Sequence, residues 1–281
     1  MDLEGDFDAL TPARKYEALD KTQELEEFIK KNNLKFTVFT IGDIIKRKHN
    51  IIKRFQDIQA EFEPHTYTHS FKKTGKEEII KAVKVYKDYF KEHPKGYREI
   101  AWMINKEKIK YLNELGFKYD SSISLAFKKN IDPFYYSNTN LLEIPQTVTP
   151  ILKVPFSISY MQLLGIKAFK LLCKNMPNII VFDCHLHDLI KTKNYKTLPP
   201  KFKLMYARNQ LRKDPLKTFK EFIKFIKTKD YKFIHMSELY NLTIKGNVKK
   251  IDAETLLNNK KSINKFYQNT IKEQNLNNIT N

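Results

Sequence analysis

Apolar and polar positions along the chain fall into short runs that switch between two periods. Ile58-Gln59-Ala60-Glu61-Phe62-Glu63 alternates with period two, the mark of a strand with one buried face. Lys35 to Thr40 is β-branched and aromatic, precedes Gly42, and predicts another strand. Asn178-Ile179-Ile180-Val181-Phe182 reads as a strand buried on both faces, and Tyr231 to Met236 as a last strand. Between these runs the spacing turns helical. Leu25, Phe28 and Ile29 share one face of a helix over 19–33. Ile44 to Phe55, Glu77 to Phe90, Asn105 to Gly116, residues 160–175 and Asp214 to Lys227 predict further helices. Pro64 is expected to stop the ladder of the 58–63 strand. Ser237-Glu238-Leu239-Tyr240 is expected to cap a closing helix. Residues 123–144 carry no clear period and read as a long loop near a substrate mouth.

Composition narrows the class. With 281 residues, 41% hydrophobic and 30% charged, the chain can bury one sizeable core. That means a single α/β domain, or one domain plus a tail. From Lys245 onward lysine, asparagine and isoleucine dominate, so residues 1–244 are expected to form the domain and 245–281 a tail dispensable for the fold. No apolar run approaches the ~18 residues of a transmembrane helix. Met1 is followed at once by Asp2, Glu4 and Asp6, the opposite of a signal peptide. Cys173 and Cys184 make no disulfide framework, and a reducing, cytoplasmic setting is expected. The net charge of +19 attracts polyanions in general. Lysine enriched beside asparagine reads more simply as a solvated surface and a composition bias. Neither zinc-finger spacing nor a ribonucleoprotein aromatic signature is present, so no nucleic-acid partner is expected.

Candidate chemistry concentrates in four places. His65-Thr66-Tyr67-Thr68-His69 puts two imidazoles four residues apart, directly after a strand. Imidazole is the commonest zinc ligand, and on one helical turn positions i and i+4 share a face. The bland alternative is a surface turn that happens to hold two histidines. Met1-Asp2-Leu3-Glu4-Gly5-Asp6-Phe7-Asp8 crowds four acids around a glycine, which suits a divalent cation or a general base. It suits a frayed acidic terminus equally well. Arg98 follows Gly96-Tyr97. Asp183-Cys184-His185-Leu186-His187-Asp188 ends the buried strand, the position where a barrel places catalytic groups. His-x-His is also a metal pair in some hydrolases, and a buried structural histidine is the plain reading. Cys184 falls on the opposite face from His185 and reads as core.

His-Thr-Tyr-Thr-His-Ser after such a strand resembles the metal motif of polysaccharide deacetylases, the NodB-homology or carbohydrate esterase 4 family. The acidic start, Lys95-Gly96-Tyr97-Arg98, Phe117-Lys118-Tyr119-Asp120-Ser121-Ser122, Leu142-Glu143-Ile144-Pro145 and His185 with Asp188 follow in that family's order. The resemblance covers roughly residues 1–243. It implies a deformed (β/α)7 barrel of the NodB type and hydrolysis of N- or O-acetyl groups on a glycan. By the same resemblance Glu4, His65 and His69 hold zinc or another divalent metal, with Asp6 as an alternative ligand. Asp2 is then the base, oriented by Arg98, and His185 the acid. Asp120 is either a site residue or a turn-holder, and His235, in an apolar run, is structural. Two departures stand out. The family has a hydrophobic strand before its acidic motif, where this chain has only Met1; either the chain is truncated or its first strand is nearly absent. Glu99-Ile100 replaces Ala-Pro after the arginine. A non-catalytic carbohydrate-binding member of the fold and, further off, a basic nucleic-acid binder are the alternatives.

Overall fold

The computed structural model describes residues 1–7, 15–70, 75–211 and 213–257. Its strands are β1 (Asp2–Leu3), β2 (Phe36–Thr40), β3 (Ala60–Pro64), β4 (Gly96–Tyr97), β5 (Tyr119–Asp120), β6 (Phe134–Tyr136), β7 (Leu142–Glu143) and β8 (Lys250–Ile251). Helices separate them: α1 (Gln23–Lys31), α2 (Gly42–Arg47), α3 (His49–Asp57), α4 (Lys76–Phe90) and α5 (Lys106–Glu114). After β7 come α6 (Ile158–Leu164), α7 (Ile166–Leu172), α8 (Leu186–Leu189), α9 (Pro200–Leu211), α10 (Lys217–Lys227), α11 (Met236–Thr243) and, last, α12 (Ala253–Leu257).

β1, β2 and β3 form one parallel sheet, and β4-β5-β7-β6-β8 a second. Single backbone bonds link them. Arg98 N–H donates to the Pro64 carbonyl at 3.2 Å, joining β3 to β4. Thr147 N–H donates to Val181 at 3.2 Å, and Asp2 N–H to Cys184 at 2.9 Å. The order β1, β2, β3, β4, β5, β7 and the extended run 179–183 is that of a deformed (β/α)7 barrel, with both ends of the run tied by single bonds rather than ladders. Helices α1, α3 and α10 bury Leu25, Phe55 and Phe222 in the same apolar cluster as Leu3 and Val38 of the strands.

Several expectations meet a different structure. Pro64 does not stop the ladder: it pairs opposite Thr40, where the bond to β2 is donated by His65 N–H to the Thr40 carbonyl, and its own carbonyl accepts from Arg98. The 44–55 helix is two helices, α2 closing when Lys48 N–H bonds Ile44. The 160–175 helix breaks at Gly165, whose φ of 86° a side chain would resist. The aperiodic 123–144 segment contains β6, antiparallel to β7. Tyr231 to His235 enters no ladder among the described residues. His235, not Ser237, caps α11, in a reciprocal box with Glu238. Asp120 sits within β5, where it accepts from Ser122 Oγ and, at 3.3 Å, from Tyr136 Oη. β1 pairs only with the last two residues of β2, and the Met1 ammonium donates to the Thr37 carbonyl at 2.8 Å.

The segment read as a tail begins by packing on the body. β8 runs parallel to β6, and Leu256 of α12 is buried beside Ile109, Leu112 and Phe134; residues 258–281 lie outside the described residues. Ending the chain at Lys245 is therefore expected to lower the melting temperature. One buried leucine contributes about 1.5–3 kcal/mol, which for a domain of this size corresponds to roughly 3–10 °C. An unchanged thermal melt of the truncated chain would show that the whole segment is dispensable.

Candidate active site

The site is built at the C-terminal ends of the strands. β3 ends at Pro64, and His65 N–H still donates to Thr40 at 2.9 Å. The two histidines then converge without a helical turn. Thr66 and His69 both lie in the left-handed region, at φ 68° and 49°. That conformation is costly for a β-branched threonine and needs surrounding support. The support is visible. Gly42 and Asp43, opening α2, donate their N–H groups to the carbonyls of Thr66 and Tyr67, each at 3.0 Å. A Cβ on Gly42 would lie 2.5 Å from the Tyr67 ring, so only glycine admits this approach. Thr68 donates through N–H and Oγ1 to Glu78 of α4, at 3.1 and 2.7 Å. The imidazole centroids end 5.2 Å apart.

The acidic start divides its roles. Asp2 lies in β1 and Glu4 just beyond it, both buried. Glu4 Oε2 is 2.5 Å from His69 Nε2 and 3.9 Å from His65 Nε2. Asp6 is turned elsewhere, accepting from Glu17 N–H, Ala18 N–H and Asn194 Nδ2 at 2.8, 3.0 and 2.7 Å. It anchors the 3-10 turn at Glu17–Lys21.

Arg98, fully buried, holds the other side of Asp2. Its Nη1 donates to Asp2 Oδ1 at 2.8 Å and to Asp183 Oδ1 at 3.1 Å. Nε and Nη2 bind the Ser121 carbonyl and hydroxyl, and the guanidinium lies 4.2 Å from the Phe39 ring centre. The departure at Glu99 is accommodated by a buried pair with Lys108 at 3.1 Å. His185 gives Nδ1 to Asp188 Oδ2 at 3.1 Å, leaving Nε2 3.8 Å from Asp2 and 3.9 Å from Glu4. His187 stacks on His185 with centroids 5.0 Å apart. A pocket of about 100 Å³ opens among these groups, walled by Phe7, Trp102, Phe202 and Tyr206.

Protonation follows from these neighbours. Burial pushes Asp2 up, but Arg98, His65 and His185 outweigh it and bring its carboxyl down to about 2. Burial and the neighbouring Asp2 charge push Asp183 up. Burial opposes protonation of His185; the carboxylates Glu4, Asp183 and Asp188 reverse this and hold it well above the ordinary imidazole range. Burial lowers His65 to about 4, so its ring is neutral.

The residues fit a divalent ion. His65 Nδ1 is 2.7 Å from the Arg98 carbonyl, which assigns the proton to Nδ1 and a lone pair to Nε2. That lone pair faces Glu4 Oε2 at 3.9 Å and Asp2 Oδ2 at 4.0 Å. Acceptors facing acceptors in a buried site are unfavourable until a cation lies among them. Glu4, His65 and His69 bring their donor atoms within 4.8 Å of one another. Two other sets come as close but are committed elsewhere. In His185, His187 and Asp188, the carboxylate already binds His185 and Ser159. In Asp2, Asp183 and His185, Arg98 occupies the space between the carboxylates.

The six residues expected as ligands, base, acid and orienting group, Asp2, Glu4, His65, His69, Arg98 and His185, thus lie around one pocket, while the alternatives Asp6 and Asp120 are not among its lining residues. His187, weighed from the sequence only as half of a His-x-His metal pair, also lines the pocket, while Asp183, Trp102, Phe202 and Tyr206 were not singled out. For Asp183 a signal existed: it ends the same buried strand, two residues before His185, and so shares its face. Nothing local marks α9 as a wall of the pocket.

The family model for polysaccharide deacetylase matches residues 7–119, which include His65, His69 and Arg98 but not Asp2, Glu4 or His185. Among solved structures, one described as a polysaccharide deacetylase from Pseudomonas aeruginosa PAO1 superposes with a TM-score of 0.58 at 16% identity, covering 85% of this chain and 81% of that one. One so described from Mycobacterium smegmatis gives 0.57 at 17% identity, covering 83% and 80%. Puue allantoinase gives 0.58 at 14% identity, covering 85% and 80%. At such identities the likeness is one of fold. No curated protein matches the chain. The chain resembles the polysaccharide deacetylases in fold, and residues 7–119 resemble them in sequence.

Proposed function

We propose that the protein, from the premise of that resemblance, is a metal-dependent hydrolase that removes acetyl groups from a carbohydrate. The observation that carries the reading is the neutral His65 imidazole aiming a lone pair at two buried carboxylates. Glu4, His65 and His69 would hold the ion, zinc or another divalent metal. When bound, such an ion supplies a Lewis acid for the acyl carbonyl and eases deprotonation of water. The remaining work falls to the chain. Asp2, kept ionised by Arg98, accepts the proton of the attacking water. His185, held by Asp188, presents Nε2 to the pocket and gives its proton to the leaving amine or alkoxide. Phe7, Trp102, Phe202 and Tyr206 wall the pocket and leave room for a small acyl group. A candidate base and a candidate acid beside one candidate ligand set, with His185 Nε2 3.8 Å from Asp2 Oδ2, support catalysis over a purely carbohydrate-binding role.

Replacing His65 and His69 together by alanine tests the ligand assignment. Bound zinc, read by elemental analysis after purification in zinc-containing buffer, is expected to fall from one equivalent to none. Unchanged stoichiometry would sink the site.

The pH dependence has a definite sign. Asp2 must be ionised and His185 protonated, giving a bell-shaped profile. The acidic limb follows a carboxylate held low, and the alkaline limb an imidazole held above its ordinary range. Activity is therefore expected to persist past pH 6.5 and to decline only as His185 loses its proton. A rate that falls as pH rises through 6 would contradict the acid assignment.

A further inference from the structure

The 189–213 segment, which contributes a wall of the pocket, is richer in basic residues than the chain as a whole. Between Asp188 and Asp214 the sequence contains no acid, while Lys and Arg occur eight times, interleaved with Tyr195, Phe202 and Tyr206. The chain as a whole has 51 basic to 32 acidic residues, so this stretch is not an average sample. Some basic residues elsewhere are matched, as Arg54 is with Glu26 at 3.2 Å, Lys106 with Glu254 at 2.7 Å and Lys220 with Glu24 at 2.7 Å, and in this segment Glu17 lies beside Lys193. The segment is also tied to the site. Leu198, Phe202 and Tyr206 pack with Phe7, Tyr195 lies against them, and Phe202 and Tyr206 line the pocket. Lys193 and Lys196 are exposed on the turn carrying Tyr195; Lys191 and Lys203 are partly exposed on either side of that cluster.

From this placement we infer that the natural substrate is an anionic glycan, with carboxylate or other acidic groups on the sugars beside the one that is deacetylated. The inference rests on the deacetylase reading and names its substrate class. Inside the pocket Asp2, Glu4, Asp183 and Asp188 surround Arg98 and His185, so an acidic group at the reacting position would be repelled. Outside it, the exposed lysines of the segment that carries Phe202 and Tyr206 would attract anions toward the apolar walls. Aromatic rings among the lysines offer apolar faces for sugar rings, while the long lysine stems lie along apolar surface and keep their charges in water.

The full chain is tested against two N-acetylated oligosaccharides of equal length, one an uncharged chitin oligomer, the other with a uronic acid on alternate sugars. Acetate release is measured at low and at physiological ionic strength, and binding by calorimetry. The wild type is expected to prefer the charged oligomer by about tenfold or more in kcat/KM at low salt, less at physiological salt. Changing Lys191, Lys193, Lys196 and Lys203 to Gln should bring the ratio toward one, with turnover of the uncharged oligomer retained. Should the fourfold variant fold poorly by melting, the exposed pair Lys193→Gln/Lys196→Gln should give a proportionate part of the loss. Gln substitutions at Lys81, Lys84 and Lys87 on α4 should leave the ratio alone. Equal turnover of both oligomers, or an equal loss from the α4 set, would overturn the inference. So would a single-stranded DNA oligomer that binds more tightly than the charged glycan through the same lysines. If the wild type cleaves neither oligosaccharide, the deacetylase reading fails. Calorimetry then decides alone: lysine-dependent binding of the charged oligomer keeps the anionic-glycan assignment, and its absence removes it.

Discussion

Asp2→Asn and His185→Ala are each expected to lower kcat for acetate release by about 10²–10⁴-fold while metal content stays at the wild-type value. The split follows from geometry. Glu4, His65 and His69 are the proposed ligands, and neither Asp2 nor His185 belongs to that group. Asp2 reaches the pocket through Oδ2, because Oδ1 is taken by Arg98. His185 reaches it through Nε2, because Nδ1 is taken by Asp188. Each variant removes a proton-transfer group and leaves its partner in position. The double variant should lose less than the product of the two single losses, since a base without its acid has little left to do. Kinetics on an acetylated glycan, with zinc measured in every sample, decide the matter. Wild-type rates in both variants would show the assignment to be wrong.

Arg98→Met is expected to be the most destabilising single change in the site, at about 3–5 kcal/mol. Methionine keeps much of the volume but leaves Asp2 and Asp183 facing each other, buried, with no shared cation. Adding Asp183→Asn should recover part of the loss, since it removes one of the two unpaired charges. Urea unfolding of the wild type, both single variants and the double variant measures this coupling, and a strictly additive result would show that the two residues act independently. The pH response should also change. In the wild type the folded Asp2 pKa, about 2, lies below its unfolded value near ~3.9. Its contribution to stability is therefore fully present above that unfolded value and is lost as pH falls through about 2. Without Arg98, burial prevails, the folded pKa climbs, and activity should fall at mildly acidic pH and return as pH rises.

What was legible in the sequence was residue type at strand ends. Period-two and period-3.6 patterns located β2, β3, α1, α4 and α10, and the chemistry followed at their C-terminal ends. The details that escaped depend on distant partners. His65 and His69 were expected to converge on a helical turn. Instead Thr66 and His69 take left-handed conformations held by α2, a device no local pattern announces. Asp183 becomes a partner of Arg98 only because the 179–183 run lies beside β1, some 180 residues away in sequence. β8 is two residues long, too short to alternate, and shows itself only by pairing with β6.

On the proposed reading, chemistry and recognition come from different parts of the chain. Asp2, Glu4, His65, Arg98, Asp183 and His185 all hang from strand ends, while the outer wall is lent by α9. A single residue does much of the fastening: Gln210 accepts from Thr192 N–H at 2.9 Å and donates to the carbonyls of His187 and Ile190 at 2.9 and 3.2 Å. Such an arrangement behaves as an interchangeable cassette. A segment of different composition, exchanged between Thr192 and Asp214 with Asn194, Phe202, Tyr206 and Gln210 kept in place, is expected to present a new face to incoming polymers while the pocket keeps its walls.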